Sequence, residues 1–513
     1  MGDPAGKGLR VSAEATVRFF VDGERVEASG CAPDTTLLNF LRDDRGCNSV
    51  KEGCAEGDCG ACTVVLGELH EGRLAWRSIN ACIRLLATVD GKEVVTAQGL
   101  ADAHGRLHPA QQAMVDCHGS QCGFCTPGFV MSLFGHYLEA KQGSRGTRRE
   151  ELLDTLAGNL CRCTGYRPIL EAGARMMDYP EHASRRASDF LAPERVQRLR
   201  ALQRPEGLLL PGFQAPVTLE AFASAYAAQP DALILAGGTD VGLWVTKHLR
   251  PLPPVLYLGE VPALRAIAVE DEQLVIGAAV CLEDAFAALL RWYPQLAEMA
   301  RRFASPPIRH SGTLCGNVAN GSPIGDSLPG LIALGARVRL RRGTAVRTLA
   351  LEDFYLGYQK KDLAPGEFVE AVCVPRPDPA GHYALYKVSK RQDQDISAVC
   401  AGCMVLLEAG RVAAVRLAYG GMAATARRAA QAEQALLGQA WTKAAVQSAM
   451  AALERDFQPL TDLRASQDYR RAAAANLLYR FWLETPGGMA DEVPVRLGAL
   501  QPVAVASAAG TRP

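Results

Sequence analysis

Residues 51–64, KEGCAEGDCGACTV, decide how the rest of the chain is read. Cys54, Cys59 and Cys62 give C-x4-C-x2-C, and Cys82 follows at a distance. That is the plant-type [2Fe–2S] spacing, in which two tetrahedral irons share sulfides and take two thiolates each. Gly53, Gly57 and Gly60 interleave the cysteines. Glycine lets the backbone wrap closely and aim N–H groups at sulfur. Structural zinc usually shows paired C-x2–4-C knuckles, which one triplet and a distant fourth cysteine fit poorly. The flanking sequence suits a small ferredoxin-like β-grasp domain over residues 15–98. Two apolar runs flank Asp22-Gly23, a type I′ hairpin signal. LLNFLRDD (37–44) predicts a short helix, and TVVLGELHEGRLAW (63–76) predicts strand–turn–strand.

From Pro109 the texture becomes helical. HPAQQAMVDCHG (108–119) stops at Gly119, and TPGFVMSLFGHYLEAK (126–141) opens with Thr126 as N-cap and Pro127 in the first turn. REELLDTLAGN (149–159) and YRPILEAGARMM (166–177) repeat the arrangement. Two helix–cysteine loop–helix units in tandem predict a four-helix bundle over residues 99–180. It carries Cys122, Cys125, Cys161 and Cys163. By spacing alone, C-x2-C plus C-x-C fits zinc as well as a cluster. Helices flank each pair, so the four sulfurs can meet between the units. Eight ligands in adjacent domains suggest an electron relay.

The bulk properties agree with a multidomain globular protein. The chain has 513 residues, 48% hydrophobic and 21% charged, enough for about three domains. Lys+Arg and Asp+Glu are both 55, so there is no basic excess for nucleic acid or anionic membrane. No apolar run approaches a membrane span, and MGDPAGKGLRVSAEA has no signal-peptide core, so a cytoplasmic location is expected. Eleven of the 16 cysteines fall between Cys31 and Cys163, which in a reducing compartment means metal or redox chemistry. Cys31, Cys47, Cys117, Cys281, Cys315, Cys373, Cys400 and Cys403 are expected to be small buried hydrophobes.

Residues 181–207 have mixed charge, prolines and little periodicity, and are expected to be a linker. An α+β domain (208–380) and a smaller α/β unit (381–485) follow, with a disordered tail expected over 486–513. In LILAGGTDVGLWV (233–245), a buried strand runs into Gly237-Gly238-Thr239-Asp240, a turn able to offer N–H groups to a pyrophosphate. It is not the Rossmann G-x-G-x-x-G. FASPPIRHSGTLCGNVANGSPIGD (303–326) supplies glycines and short polar side chains in a non-periodic stretch. That suits a polar cofactor, or simply a long loop.

KEGCAEGDCGACTV, HGSQCGFCTPGFV (118–130) and GNLCRCTGYRPI (158–169) resemble the iron–sulfur domains of the xanthine oxidase family of molybdenum hydroxylases. The two flavin segments resemble that family's FAD domain, of the vanillyl-alcohol-oxidase type. YKVSKRQDQDISAV (386–399) and YGGMA (419–423) resemble its C-terminal flavoprotein domain. The resemblance covers about residues 15–485. It implies that Cys122, Cys125, Cys161 and Cys163 hold the [2Fe–2S] cluster nearer molybdenum, and Cys54, Cys59, Cys62 and Cys82 the one nearer FAD. Leu235, Ala236, Gly237, Gly238, Thr239, Asp240 and Val241 would wrap the pyrophosphate. Thr313, Gly316, Asn317, Asn320 and Asp326 would bond phosphate, ribityl and ribose groups. Phe303 would sit beside the isoalloxazine, with Val369 and Lys387 completing the contacts, although Lys387 also reads as a surface lysine on a strand. No molybdopterin domain follows within 513 residues, so a partner chain carrying molybdenum cofactor is expected, in an assembly of two small and two large chains. The implied activity is purine oxidation (hypoxanthine or xanthine to urate) at the partner. Electrons would pass through both clusters to FAD and then NAD⁺, and no side chain of this chain would serve as general base. A related hydroxylase of aldehydes or N-heterocycles is the near alternative, and a zinc-bearing interaction module the distant one.

Overall fold

The computed structural model describes residues 16–182 and 186–486; residues 1–15, 183–185 and the expected tail from 487 lie outside the described residues. The chain divides into two compact units. One holds residues up to 321 together with 336–376 and 391–395; the other holds 322–335, 377–390 and residues from 396 onward.

In the first unit, β1 (Thr16–Val21) and β2 (Glu24–Ser29) form the expected hairpin. Asp22 and Gly23 both take positive φ, 54° and 91°, the two left-handed residues of a type I′ turn. A turn of helix, Leu37–Asn39, runs into a π-helical turn, Phe40–Asp44. Strands β3 (Thr63–His70), β4 (Arg73–Asn80) and β5 (Glu93–Val95) complete a sheet of order β2-β1-β5-β3-β4. At β3 this sheet is buried on both faces, which is why that strand begins as an unbroken apolar run. Val64 and Leu66 face a core shared with Leu235 and Tyr257, whereas Val65 faces a core built from the helices that follow.

Those helices are α1 (Pro109–Asp116), α2 (Thr126–Lys141), α3 (Arg149–Leu156) and α4 (Arg167–Arg175). Phe129, Leu133, Phe134, Leu152, Ile169 and Ala172 pack between them, each large side chain contributing about 1.5–3 kcal/mol by burial. Thr126 is not the N-cap of α2. The cap is Cys125, whose carbonyl accepts from Phe129 N–H at 3.2 Å. The Thr126 hydroxyl is taken by Ser120 Oγ at 2.7 Å.

The stretch expected as a linker carries two helices, Ala187–Phe190 and Pro193–Leu202. Phe190 stacks edge-on with Trp76 and Phe134 at 5.7 and 4.9 Å. Arg195 pairs with Glu93, Arg204 with Asp90, and Arg198 lies over Phe20. Among the described residues of this stretch, only Phe190, Leu199 and Leu202 are large apolar groups that are buried. The charged surface of the segment therefore hides its periodicity.

Beyond it, β6 (Leu208–Leu210), β7 (Phe213–Ala215), β8 (Leu233–Leu235) and β9 (Val255–Tyr257) form a sheet of order β6-β7-β9-β8. A second sheet, order β10-β11-β16-β12-β13, uses β10 (Ile267–Glu270), β11 (Gln273–Gly277), β12 (Arg337–Arg342), β13 (Ala345–Ala350) and β16 (Phe368–Pro375). A small hairpin, β14 (Tyr355–Gly357) and β15 (Lys360–Lys361), precedes β16.

The second unit has a four-stranded antiparallel sheet, β17 (Gly381–Val388), β18 (Val399–Glu408), β19 (Arg411–Gly420) and β20 (Arg427–Arg428), in sequence order. Helices Ala430–Leu436, Lys443–Asp456 and Gln467–Leu483 follow it. This unit also takes in the helix Ser327–Ala333, which the sequence reading places inside the preceding domain. Among the described residues, no helix is long and apolar enough to cross a membrane.

Candidate redox centres and flavin cavity

The first cysteine loop precedes β3. Cys54 Sγ accepts from the N–H groups of Glu56, Asp58 and Cys59 at 3.5, 3.4 and 3.3 Å. The curl depends on positive φ at Ala55, Gly57 and Gly60. Hydrogen bonding joins Cys54 to Cys59 and Cys82, and Cys82 to Cys62. Those bonds, that from Cys59 foremost, hold the Cys54 thiol far below its ordinary value, and the Cys82 bond lowers Cys62 as well. Cys59 and Cys82 are raised, each first by its bond to Cys54. Cys62 and Cys82 are buried, and Cys54 and Cys59 half-buried.

The second set lies at the α1–α2 and α3–α4 turns. Cys163 Sγ is 3.4 Å from Cys122 Sγ, and Cys125 bonds to Cys161. Burial pushes Cys125 up to about 12. Thr164 holds Cys161 with its hydroxyl at 3.2 Å and its N–H at 3.5 Å. The Cys161 N–H donates to the Tyr166 hydroxyl at 2.9 Å. Cys122 and Cys163 are exposed.

The first set thus forms a bonded row, Cys59–Cys54–Cys82–Cys62, and the second set two touching pairs, Cys122/Cys163 and Cys125/Cys161. This donor arrangement fits a [2Fe–2S] unit, which takes two thiolates per iron. Among the described residues, no group of three or more His, Cys, Asp or Glu side chains surrounds a single metal-ion position. Of the other eight cysteines, Cys117, Cys315, Cys373, Cys400 and Cys403 are buried, whereas Cys31, Cys47 and Cys281 are half-buried.

The two loops are bonded directly. Leu160 N–H donates to Cys59 O at 2.9 Å, and Asn159 Nδ2 donates to Gly60 O at 3.1 Å. Ser132 Oγ orients Asn159 through Oδ1 at 2.6 Å. The fit requires glycine: a Cβ on Gly60 would lie 2.1 Å from Gly158 O, and one on Gly128 would lie 2.1 Å from Gly60 O.

A cavity of about 440 Å³ lies beyond the first loop. Its wall touches the residue after Cys82: a Cβ on Gly242 would meet Ile83 O at 2.6 Å, and one on Gly57 would meet both Ile83 and Ile308. Ala236, Gly237, Gly238, Thr239, Asp240 and Val241 line it after β8. Phe303 and Val369 line it too, with Thr313, Gly316, Asn317 and Asn320 on or before helix α5 (Leu314–Asn320). Thr313 caps α5 by accepting from Gly316 N–H at 2.9 Å. An apolar wall with a few convergent polar groups suits a large, polar-tipped cofactor such as FAD.

Leu235, Asp326 and Lys387, also expected as cofactor contacts, are not among the residues that line this cavity. Leu235 is buried in the core below the cavity, because it ends β8 with its side chain turned inward. Asp326 and Lys387 belong to the second unit and bond each other, Nζ to Oδ2 at 2.5 Å. Ser397 Oγ donates to the other Asp326 oxygen at 2.5 Å. Buried opposite charges stay together because neither can be left unpaired cheaply, so Lys387 is not a surface lysine. The sequence reading missed Tyr226, Trp244, Lys361 and Leu363 in the cavity lining. Tyr226 and Trp244 follow ordinary helical periodicity, and Lys361 sits on a two-residue strand, so none carries a motif.

One more group ties the parts together. The Arg309 guanidinium, 2% exposed, reaches Glu283 at 2.6 Å, Asp154 at 3.2 Å, and the carbonyls of Arg301 and Phe303 at 3.0 and 3.3 Å. It grips the turn at Ala304 (φ 50°) that presents Phe303 to the cavity.

Four domain families match the chain in order. They are the 2Fe-2S iron-sulfur cluster binding domain (19–85), the [2Fe-2S] binding domain (96–174), the FAD binding domain in molybdopterin dehydrogenase (209–377), and the CO dehydrogenase flavoprotein C-terminal domain (384–485). Fold and site together define an iron–sulfur flavoprotein. The chain belongs to the xanthine oxidase family of molybdenum hydroxylases. Xanthine dehydrogenase of Emericella nidulans is 32% identical over 91% of this chain and 38% of its own length. Xanthine dehydrogenase/oxidase of Gallus gallus is 29% identical over 91% of this chain and 40% of its own. The chain therefore spans about two-fifths of the length of these relatives. Among solved structures, carbon monoxide dehydrogenase from Hydrogenophaga pseudoflava is 30% identical over 52% of this chain and 94% of that chain, with a TM-score of 0.49.

Proposed function

We propose that this chain is the electron-relay part of a xanthine dehydrogenase. The observation that carries the reading is the continuity of its parts. The second cysteine loop bonds the first through Leu160 and Asn159, and the first abuts the cavity through Ile83. Electrons from a molybdenum site on a partner chain would enter at Cys122, Cys125, Cys161 and Cys163. They would pass to Cys54, Cys59, Cys62 and Cys82 and leave at the cavity toward NAD⁺. Bound FAD supplies the exchange between one- and two-electron chemistry. The protein's own residues place the groups, bury Cys62 and Cys82, and leave Cys122 and Cys163 open at the surface. Ala236–Val241, Thr313, Gly316, Asn317 and Asn320 would hold the dinucleotide, with Phe303 and Val369 against its rings. Domain limits of 15–98, 99–180, 208–380 and 381–485, two small and two large chains, and a cytoplasmic location go with this reading.

The test is purification with any co-purifying chain, followed by iron, flavin and molybdenum analysis and assay with xanthine and NAD⁺. Expected are about four irons per chain, one FAD, a molybdenum-bearing partner, and urate formed with NAD⁺ reduced. Turnover of aldehydes or N-heterocycles instead of xanthine would move the substrate assignment. A colourless zinc protein with no molybdenum partner would end the proposal.

A further inference from the structure

The cavity wall includes one lysine that no motif announces. Lys361 lies on β15, opposite Tyr355 in the β14–β15 hairpin. The hairpin is pinned to α5, because the Tyr355 hydroxyl donates to Val318 O at 2.9 Å. Gly321, in the left-handed conformation (φ 65°), ends α5 and lets the lysine stem pass. A Cβ there would meet the Tyr355 ring at 2.8 Å and Lys361 Cε at 3.3 Å. The side chain is thereby directed along the wall that also carries Asn317 and Asn320.

Nothing among the described residues neutralises this ammonium. Burial alone shifts Lys361, downward, with no charged neighbour acting on it. Two carboxylates also line the cavity. Glu367 is committed to Arg347, at 2.7 Å through both of its oxygens. Asp240 is not paired with Lys361. A half-buried cation facing a cavity without a counter-charge is stabilised by an anion that arrives with the ligand.

We propose that Lys361 is a ligand-binding residue that recognises the phosphate of a dinucleotide in this cavity. The inference rests on the flavin reading of the cavity. The phosphate has two possible sources: the pyrophosphate of FAD itself, or that of the nicotinamide dinucleotide that takes its electrons.

The experiment compares wild-type holoprotein with Lys361→Gln and Lys361→Arg. The flavin is removed and rebinding of FAD and of riboflavin, which has no phosphate, is followed by fluorescence quenching. The KM and kcat for NADH are then measured with ferricyanide in the FAD-loaded proteins. Flavin pyrophosphate as the source predicts that Lys361→Gln weakens FAD by about tenfold or more, leaves riboflavin unchanged, and is rescued by Arg. The nicotinamide dinucleotide as the source predicts unchanged FAD affinity and a similar rise in KM for NADH at constant kcat, again rescued by Arg. Equal weakening of FAD and riboflavin overturns the proposal, as does a variant unchanged in both FAD affinity and KM. Equal melting temperatures of the three proteins exclude a folding defect as the cause. Wild-type protein that binds no flavin at all would instead refute the flavin reading of the cavity.

Discussion

His108 shows how much one buried side chain can govern. It is 1% exposed and wedged edge-on against Phe134 and Tyr137. Its Nδ1 accepts from Ala110 N–H at 3.2 Å, and Gln111 Oε1 accepts from its own N–H at 3.0 Å, which caps α1. Only neutral imidazole can accept at Nδ1. Burial lowers its pKa to about 4 from 6.5, helped by His182 and Lys141 and opposed by Glu181. Between pH 4 and 6.5 the unfolded chain binds more protons than the native one, so stability is full above 6.5 and falls with pH. By pH 5 this group alone costs about 2 kcal/mol. His108→Asn keeps a capping oxygen and removes the titration. It should lower the melting temperature at pH 7 through lost packing, yet flatten its decline toward pH 5. A decline as steep as wild type's would show that other groups set the acid sensitivity.

At the scale of an element, the helix Pro306–Ser311 joins helix α3 to the cavity wall through Arg309. Its planar fork makes four bonds that lysine cannot reproduce. Arg309→Met would strip Glu283 and Asp154 of this partner. Arg145 still approaches both, at 3.5 and 3.6 Å, and both carboxylates are partly exposed. The expected cost is therefore about 2–3 kcal/mol, below the 3–5 typical of a broken buried pair. FAD should dissociate more readily as well, because the Phe303–Ala304 turn loses its clamp. Differential scanning fluorimetry, following flavin emission, measures both effects. Unaltered flavin release with lowered stability would restrict Arg309 to a structural role. Sequence patterning could not reveal this residue: an arginine in a Gly/Ser/Pro-rich loop reads as exposed, and its partner Asp154 lies 155 positions away.

Over the whole molecule, the proposed relay is a series circuit, and breaking one link should separate its ends. Cys161→Ala should abolish the spectroscopic signal of one cluster and keep that of the other. Flavin content and NADH-driven flavin bleaching should persist, because the cavity abuts the Cys54/Cys82 loop and not Cys161. Xanthine-driven bleaching should be lost, because the centre that would receive the partner's electrons is the one removed. Loss of both cluster signals would show that Cys161 stabilises the whole assembly instead. The glycine-lined junction of the two loops is what makes the first outcome expected. Gly60 and Gly128 let backbone meet backbone, so the first loop has supports other than the second set's thiols.

Much of this was legible in the chain itself. Residue spacing around Cys54, Cys59 and Cys62 signalled a cluster because ligand geometry fixes loop length locally. The Asp22-Gly23 hairpin and the bundle helices were readable for the same reason, since turn chemistry and capping act over a few residues. The β8 turn likewise was visible as Gly237-Gly238, and both residues line the cavity. Tertiary structure alone decided the rest. It turned Leu235 into the core, paired Asp326 with Lys387, made helices of the expected linker, and brought Lys361 to the cavity. Each of these outcomes depends on a charge or apolar surface met across tens to hundreds of residues. Local sequence specifies what a side chain can do, and only the folded chain supplies the partner that settles what it does.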